Sequence, residues 1–182
     1  MNFIKKYFQE NRLRKAYSLN KRLKEFNNFS LIKTIGIISN PQTEEQMNQF
    51  LKIVNHFHVL GKQSFSLLFL DKLIKDEHFL TNIDGHVISE KNCNWIGTPT
   101  KDINLNHFIN KDFDLLIDLS FTPSYSLNYL FILSNARLKA MPTSDFSRKY
   151  ADLMLDSIKT DNKFNFTTEL IHYLEIINKN QK

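Results

Sequence analysis

Two kinds of hydrophobic spacing alternate along the chain: short unbroken apolar runs closed by turn-formers, and stretches whose apolar residues recur every three or four positions. The first kind reads as buried strands and the second as helices packed on them. Leu31 to Ser39 (Leu-Ile-Lys-Thr-Ile-Gly-Ile-Ile-Ser) is the first predicted strand, closed by Asn40-Pro41. Thr43 followed three residues later by Gln46 is a capping box, and Met47, Phe50, Leu51, Val54 and Phe57 line one face of a helix that Gly61 ends. Ser64 to Leu70 is the second strand, stopping at Asp71. A strand-helix-strand unit of this kind implies parallel strands.

The run Phe113 to Ser120, Phe-Asp-Leu-Leu-Ile-Asp-Leu-Ser, has five apolar residues in eight without clean alternation, as in a strand covered on both faces. A short helix over about 104–110 leads into it. After it, Thr122 is the expected N-cap and Pro123 the first helical residue, with Tyr125, Leu127, Tyr129, Leu130, Leu133 and Ala136 forming an apolar helix. Arg137 to Met141 and Ala151 to Leu155 are short predicted strands, and Phe166 to Asn178 a closing amphipathic helix. Between Lys72 and Thr100 the pattern is faint: His86-Val87-Ile88 reads as a short strand, and Trp95 as a lid on the core. The fold expected is α/β, a three-layer Rossmann- or flavodoxin-like domain with a mostly parallel sheet over residues 31–182, preceded by a basic helical arm over residues 1–30.

Charge sharpens the picture of the arm. Its 30 residues hold eight of the chain's 24 Lys and Arg but two of its 19 Asp and Glu, which leaves 16 cations against 17 acids elsewhere, so the net charge of +5 originates in the arm. Phe3, Tyr7, Leu13, Tyr17, Leu23 and Phe26 recur at roughly helical spacing among the cations. Such a segment can pack its aromatics on the body and leave a solvated basic face. It can also bind nucleic acid phosphates through Lys5, Lys6, Arg12, Arg14, Lys15, Lys21 and Arg22, with Tyr7 and Tyr17 placed to stack on bases, or lie on an anionic membrane surface. No run approaches the ~18 to 20 apolar residues of a membrane span. The charged opening and the lone Cys93 make the cytoplasm the expected compartment.

Candidate chemistry is sparse. The turn after the first strand, Ser39-Asn40-Pro41-Gln42-Thr43, lacks the glycines of a phosphate cradle, so no dinucleotide cofactor is expected. Asp71, Asp118 and Asp156 fall at strand ends, where they could face Mg²⁺, although Asp is equally common there as a turn-former. Neither the six histidines nor Cys93 forms a ligand or nucleophile set, and no metal is expected. If a small-ligand or transferase-like site exists, its place is the crevice at the carboxyl ends of the strands, lined by Asn40, Asp71, Asp118, Ser120 and Thr122.

Asp114-Leu-Leu-Ile-Asp-Leu-Ser120, the helix opening Pro123-Ser-Tyr-Ser-Leu, the exit Leu133-Ser-Asn-Ala-Arg-Leu-Lys139 and the late Tyr150-Ala-Asp-Leu-Met154 together resemble a family of short bacterial proteins of unknown function, over nearly the whole chain. That family shares a basic N-terminal helix, an Asn-Trp loop (here Asn94-Trp95) and a Rossmann-like strand-helix-strand. The resemblance implies fold and no activity. Its members usually carry Gly where this chain has Ala140, which implies a different turn there. The strand-helix piece is also similar to the first half of glycosyltransferases with two Rossmann-like domains. Those enzymes bind the sugar nucleotide mainly in the second domain, so that likeness implies fold rather than activity. The function expected is therefore a non-catalytic cytoplasmic module docking on RNA or the ribosome through its basic helix. A crevice enzyme and a membrane-surface module are the alternatives.

Overall fold

The apolar runs become the middle layer of the molecule. The computed structural model describes residues 2–70, 85–100, 102–156 and 162–177. Six parallel strands, β1 (Thr34–Ser39), β2 (Gln63–Phe69), β3 (Gly85–Ile88), β4 (Leu115–Asp118), β5 (Leu138–Pro142) and β6 (Leu153–Leu155), form one sheet in the order β3-β2-β1-β4-β5-β6. The central strands β1 and β4 pair from Ile35 with Leu115 to Ile38 with Asp118. Residues 71–84 lie outside the described residues, and with them the expected strand-end carboxylate Asp71.

Alternation along each strand feeds two cores. Ile35, Ile37, Leu115 and Ile117 face helices α2 (Glu44–Val59) and α6 (Lys163–Ile176), where Phe50, Phe57, Leu170 and Leu174 meet them. Ile38, Leu67 and Leu116 face α3 (Ile103–Asn110) and α4 (Tyr125–Leu133), against Phe108, Phe113, Leu127 and Phe131. Phe50, Phe57, Phe113 and Phe131 are fully buried, each contributing roughly 1.5–3 kcal/mol of hydrophobic stabilisation. Gly36 is required on β1, because a Cβ there would stand 2.8 Å from Leu116 Cδ1 and 2.9 Å from Phe113 Cδ2. The result is a three-layer Rossmann-like α/β fold.

Several boundaries differ from expectation for local reasons. The first strand starts at Thr34, because the Asn28 side chain accepts from Ser30 N–H and nucleates a 3₁₀ turn over Phe29–Leu31. Thr43 does cap α2 by accepting from Gln46 N–H, but the Gln46 side chain reaches Gln42 N–H. The cap of α4 is Ser124, not Thr122, and Pro123 precedes it, since Thr122 is held by Asn40. Ala140 lies within β5, paired with Ile117 and Leu153, so no turn occurs there. Ser147–Tyr150 forms a one-turn helix, α5, too short to show in the hydrophobic pattern.

The arm is a single helix, α1 (Asn2–Leu19), followed by an extended strap over residues 20–28. The expected aromatic stripe does not pack as a stripe: Leu13 and Ala16 are buried against Ile132 of α4, whereas Phe3, Tyr7, Tyr17 and Leu23 are exposed. The strap is fixed by polar bonds. Asn20 Nδ2 donates to Ile132 O (2.6 Å) and Ser134 O (3.0 Å), and Arg22 Nη1 to Ala136 O (2.9 Å) and Arg137 O (2.8 Å).

Candidate functional site

The seven arm cations expected to meet nucleic acid do not share one environment. Arg22 is almost fully enclosed and ion-paired with Asp152, which also accepts from Lys24 Nζ at 3.1 Å and from Lys139 N–H at 3.0 Å. Its guanidinium completes the strap and cannot meet a phosphate, so Arg22 leaves the predicted nucleic-acid set. Lys6, Arg12, Arg14, Lys15 and Lys21 are exposed, and none has an acidic partner within ion-pair distance among the described residues. Lys5 is half-buried. Tyr7 is 59% exposed, whereas Tyr17 leans edge-on against Tyr150 with centroids 5.2 Å apart. Arg12, Lys15 and Lys21 line one open groove of about 490 Å³ between α1, α3 and α4, floored by Ile109, Tyr129 and Leu133.

The carboxyl ends of β1 and β4 hold a second cavity. In this strand order the chain leaves β1 toward β2 and leaves β4 toward β5, so their shared end is the topological switch point where such sheets open a crevice. A cavity of about 490 Å³ lies there, with Asn40, Gln42, Phe69, Thr122 and the first turn of α4 in its wall. Lys5 and Gln9 of α1 form another wall, and Gln9 Nε2 donates to Ile96 O at 2.7 Å. Gln9, Cys93, Asn94 and Tyr125 were not expected in this cavity, because segments distant along the chain bring them together. Asn40, expected as a ligand group, is committed to the fold. Its Nδ2 donates to Thr122 O and Oγ1 (both 2.9 Å), and its Oδ1 accepts from Phe121 N–H at 2.7 Å.

Asp118 and Ser120 face a different space. They line a cavity of about 400 Å³ beyond β4 and β5, with Thr122, Asn128, Thr143, Asp145 and Lys163. Of the predicted crevice residues that are described, Thr122 alone touches both cavities. Asp118 is 2% exposed and accepts from Ser120 N–H at 2.8 Å. Burial pushes its carboxyl above the ordinary carboxylate range, against the pull of its bonds to Ser120 and the charge of Lys163. Cys93 is likewise pushed up by burial, the opposite of what a thiolate nucleophile requires. Trp95 is no core lid: it is 66% exposed and meets Phe8 edge-on at 5.9 Å. Among the described residues no three His, Cys, Asp or Glu side chains cluster closely enough for a metal ion. Nor is any helix among them long and apolar enough to cross a membrane.

With this geometry in place, comparison with known proteins gives a family. The chain belongs to the family of unknown function DUF6913, whose model matches residues 5–177. No curated protein matches it in sequence. Among solved structures it is similar to the glycosyl transferase family 9 protein from Veillonella parvula DSM 2008, at a TM-score of 0.48 and 16% identity, over 82% of this chain and 43% of that one. The chain thus spans less than half the length of that protein.

Proposed function

We propose that this family member is a cytoplasmic, non-catalytic docking module whose partner is RNA, free or within the ribosome. The observation that carries this reading is the exposed set of Lys6, Arg12, Arg14 and Lys15 on α1 with Lys21 on the strap, none within ion-pair distance of an acid among the described residues, on a segment whose other side is fixed to the body. Cations held on one anchored segment release the counterions of the phosphates they neutralise, which makes binding favourable and strongly salt-dependent. Tyr7 is exposed on the same helix and can stack on a base.

The test is fluorescence anisotropy with a labelled RNA at several salt concentrations, comparing the native chain with a variant carrying Ala at those five positions. Five neutralised phosphates predict a log–log salt slope of about −3.5 on a single strand, hence roughly a hundredfold loss between 50 and 200 mM salt. Binding that ignores salt, or that survives all five substitutions, removes the proposal. Binding to anionic vesicles and not to RNA would place the exposed Phe3, Ile4, Tyr7 and Phe8 in a lipid interface instead.

A second reading, a small-ligand binder, is favoured by the switch-point cavity, whose volume is within the range of ordinary ligand sites. It predicts a thermal shift of several degrees with one member of a panel of nucleotides, sugar nucleotides and Mg²⁺, lost in Lys5→Ala.

A further inference from the structure

We infer that the groove between α1, α3 and α4 is a seat for single-stranded nucleic acid, holding one or two nucleotides of the RNA partner. This rests on the RNA reading above and adds which surface of the arm binds and which form of RNA it takes. Three features of the groove carry it.

Among the described residues its charge has one sign: Arg12, Lys15 and Lys21 line it, and no Asp or Glu does. Its floor is apolar and aromatic, built from Ile109, Leu133 and Tyr129, with Asn110 and Asn135 at the wall as amide donors and acceptors. Its volume, about 490 Å³, is that of a site for a small molecule rather than for a helix. A cationic rim above an apolar floor that includes an aromatic ring suits an unstacked base with its phosphate outside. A duplex hides its bases and presents only phosphates, and could meet the rim without entering.

The other cations of α1 differ in surroundings. Arg14 lies on the opposite side of the helix beside Glu10, Asp145 and Lys149, in a smaller depression of about 200 Å³ where acids offset the positive charge. Lys5 faces the switch-point cavity together with Glu90. Among the described residues, only the α3/α4 side of the arm therefore combines undiluted positive charge with a concave floor. The wall is fixed on both sides: the Asn20 amide is bonded to Ile132 O and Ser134 O, and the Asn135 backbone N–H donates to Ile109 O at 2.9 Å.

The experiment uses the full chain and a fluorescein-labelled 12-nucleotide oligouridylate, with a duplex RNA of the same length as comparison. One variant removes the groove cations (Arg12→Ala, Lys15→Ala and Lys21→Ala together), a second removes cations outside it (Lys6→Ala with Arg14→Ala), and a third, Asn135→Trp, fills the groove without changing charge. Thermal melts establish that each variant is folded. The expected results are a loss of 30-fold or more and a salt slope shallower by about 2 in the first, a smaller loss, of about tenfold or less, and a slope shallower by about 1.4 in the second, and at least a tenfold loss at unchanged slope in the third. The single strand should bind more tightly than the duplex. If the second variant loses as much as the first, or Asn135→Trp binds like the native chain, or the duplex is preferred, the groove is not the seat, although the RNA reading survives. If no RNA binds the native chain, both fall together.

Discussion

Replacing Arg22 by Ala tests whether the strap is part of the fold. The guanidinium makes three contacts: an ion pair to Asp152 and hydrogen bonds of 2.9 and 2.8 Å to Ala136 O and Arg137 O. Its side chain is 5% exposed and that of Asp152 3%, so solvent screens the pair little. Truncating one member of a buried pair costs about 3–5 kcal/mol, mostly because the other charge is left behind. Asp152 keeps two donors here, Lys24 Nζ and Lys139 N–H, which places the expected loss at the lower end, about 3 kcal/mol. For a chain of this size each kcal/mol moves Tm by about 2–4 °C, so calorimetry should record a fall of about 6–12 °C. Lys24→Ala is the internal control. Its ammonium is 53% exposed, and such pairs contribute less than about 1 kcal/mol. A double-mutant cycle of Arg22→Ala with Asp152→Ala should yield a coupling above about 1.5 kcal/mol. An Arg22→Ala protein that melts within 2 °C of the native chain, or no lower than Lys24→Ala, would refute this account of the strap.

Lys139 is buried on β5 with its ammonium nitrogen 2.6 Å from Phe131 O and 2.9 Å from Ile132 O, and burial, helped by the Arg22 charge, pushes its pKa down to about 6. Between pH 6 and 10.5 the unfolded chain holds a proton that the folded one lacks, so stability should rise with pH by up to about 1.4 kcal/mol per unit, and urea titrations of Lys139→Met should lack that increment. Asp118 has the opposite sense: its folded carboxyl keeps its proton to higher pH than in the unfolded chain, so the native protein loses stability as pH rises from the usual carboxylate range. Asp118→Asn, which keeps an oxygen for Ser120 N–H, should melt higher than the native chain at pH 7 and by a shrinking margin toward pH 4, and an equal or lower melt at pH 7 would count against it. Asn40→Ala should cost about 2–3 kcal/mol in urea unfolding at unchanged m, because Phe121 N–H is left without its acceptor; a loss below 1 kcal/mol would mean that the amide does not hold the β4–α4 loop.

The strands were legible because their side chains are set by continuous apolar runs, as in Ile35–Ile38 and Leu115–Ile117, and a run needs no partner to be recognised. The capping of α2 was legible for the same reason, since Thr43 and Gln46 lie within one turn. What escaped depends on contacts between remote residues. Nothing around Arg22 distinguishes it from Lys21 or Lys24; its burial is decided by Asp152, 130 positions away. Thr122 carries the preferences of a helix cap, yet Asn40 claims its hydroxyl and carbonyl first. The strand-end residues expected to form one crevice are divided because the β4–α4 loop runs between Asn40 and Asp118 and gives each its own cavity.

The strap also orders the events of biosynthesis. Residues 20–25 leave the ribosome early, but their anchors at Ile132, Ala136, Arg137 and Asp152 are made more than a hundred residues later. Throughout that interval Leu13 and Ala16 have no surface to pack on, and the cations travel with a nascent chain that cannot yet fasten them. The arm thus cannot be fully fastened before Asp152 is made, and a chain stalled short of it lacks the ion pair that holds Arg22.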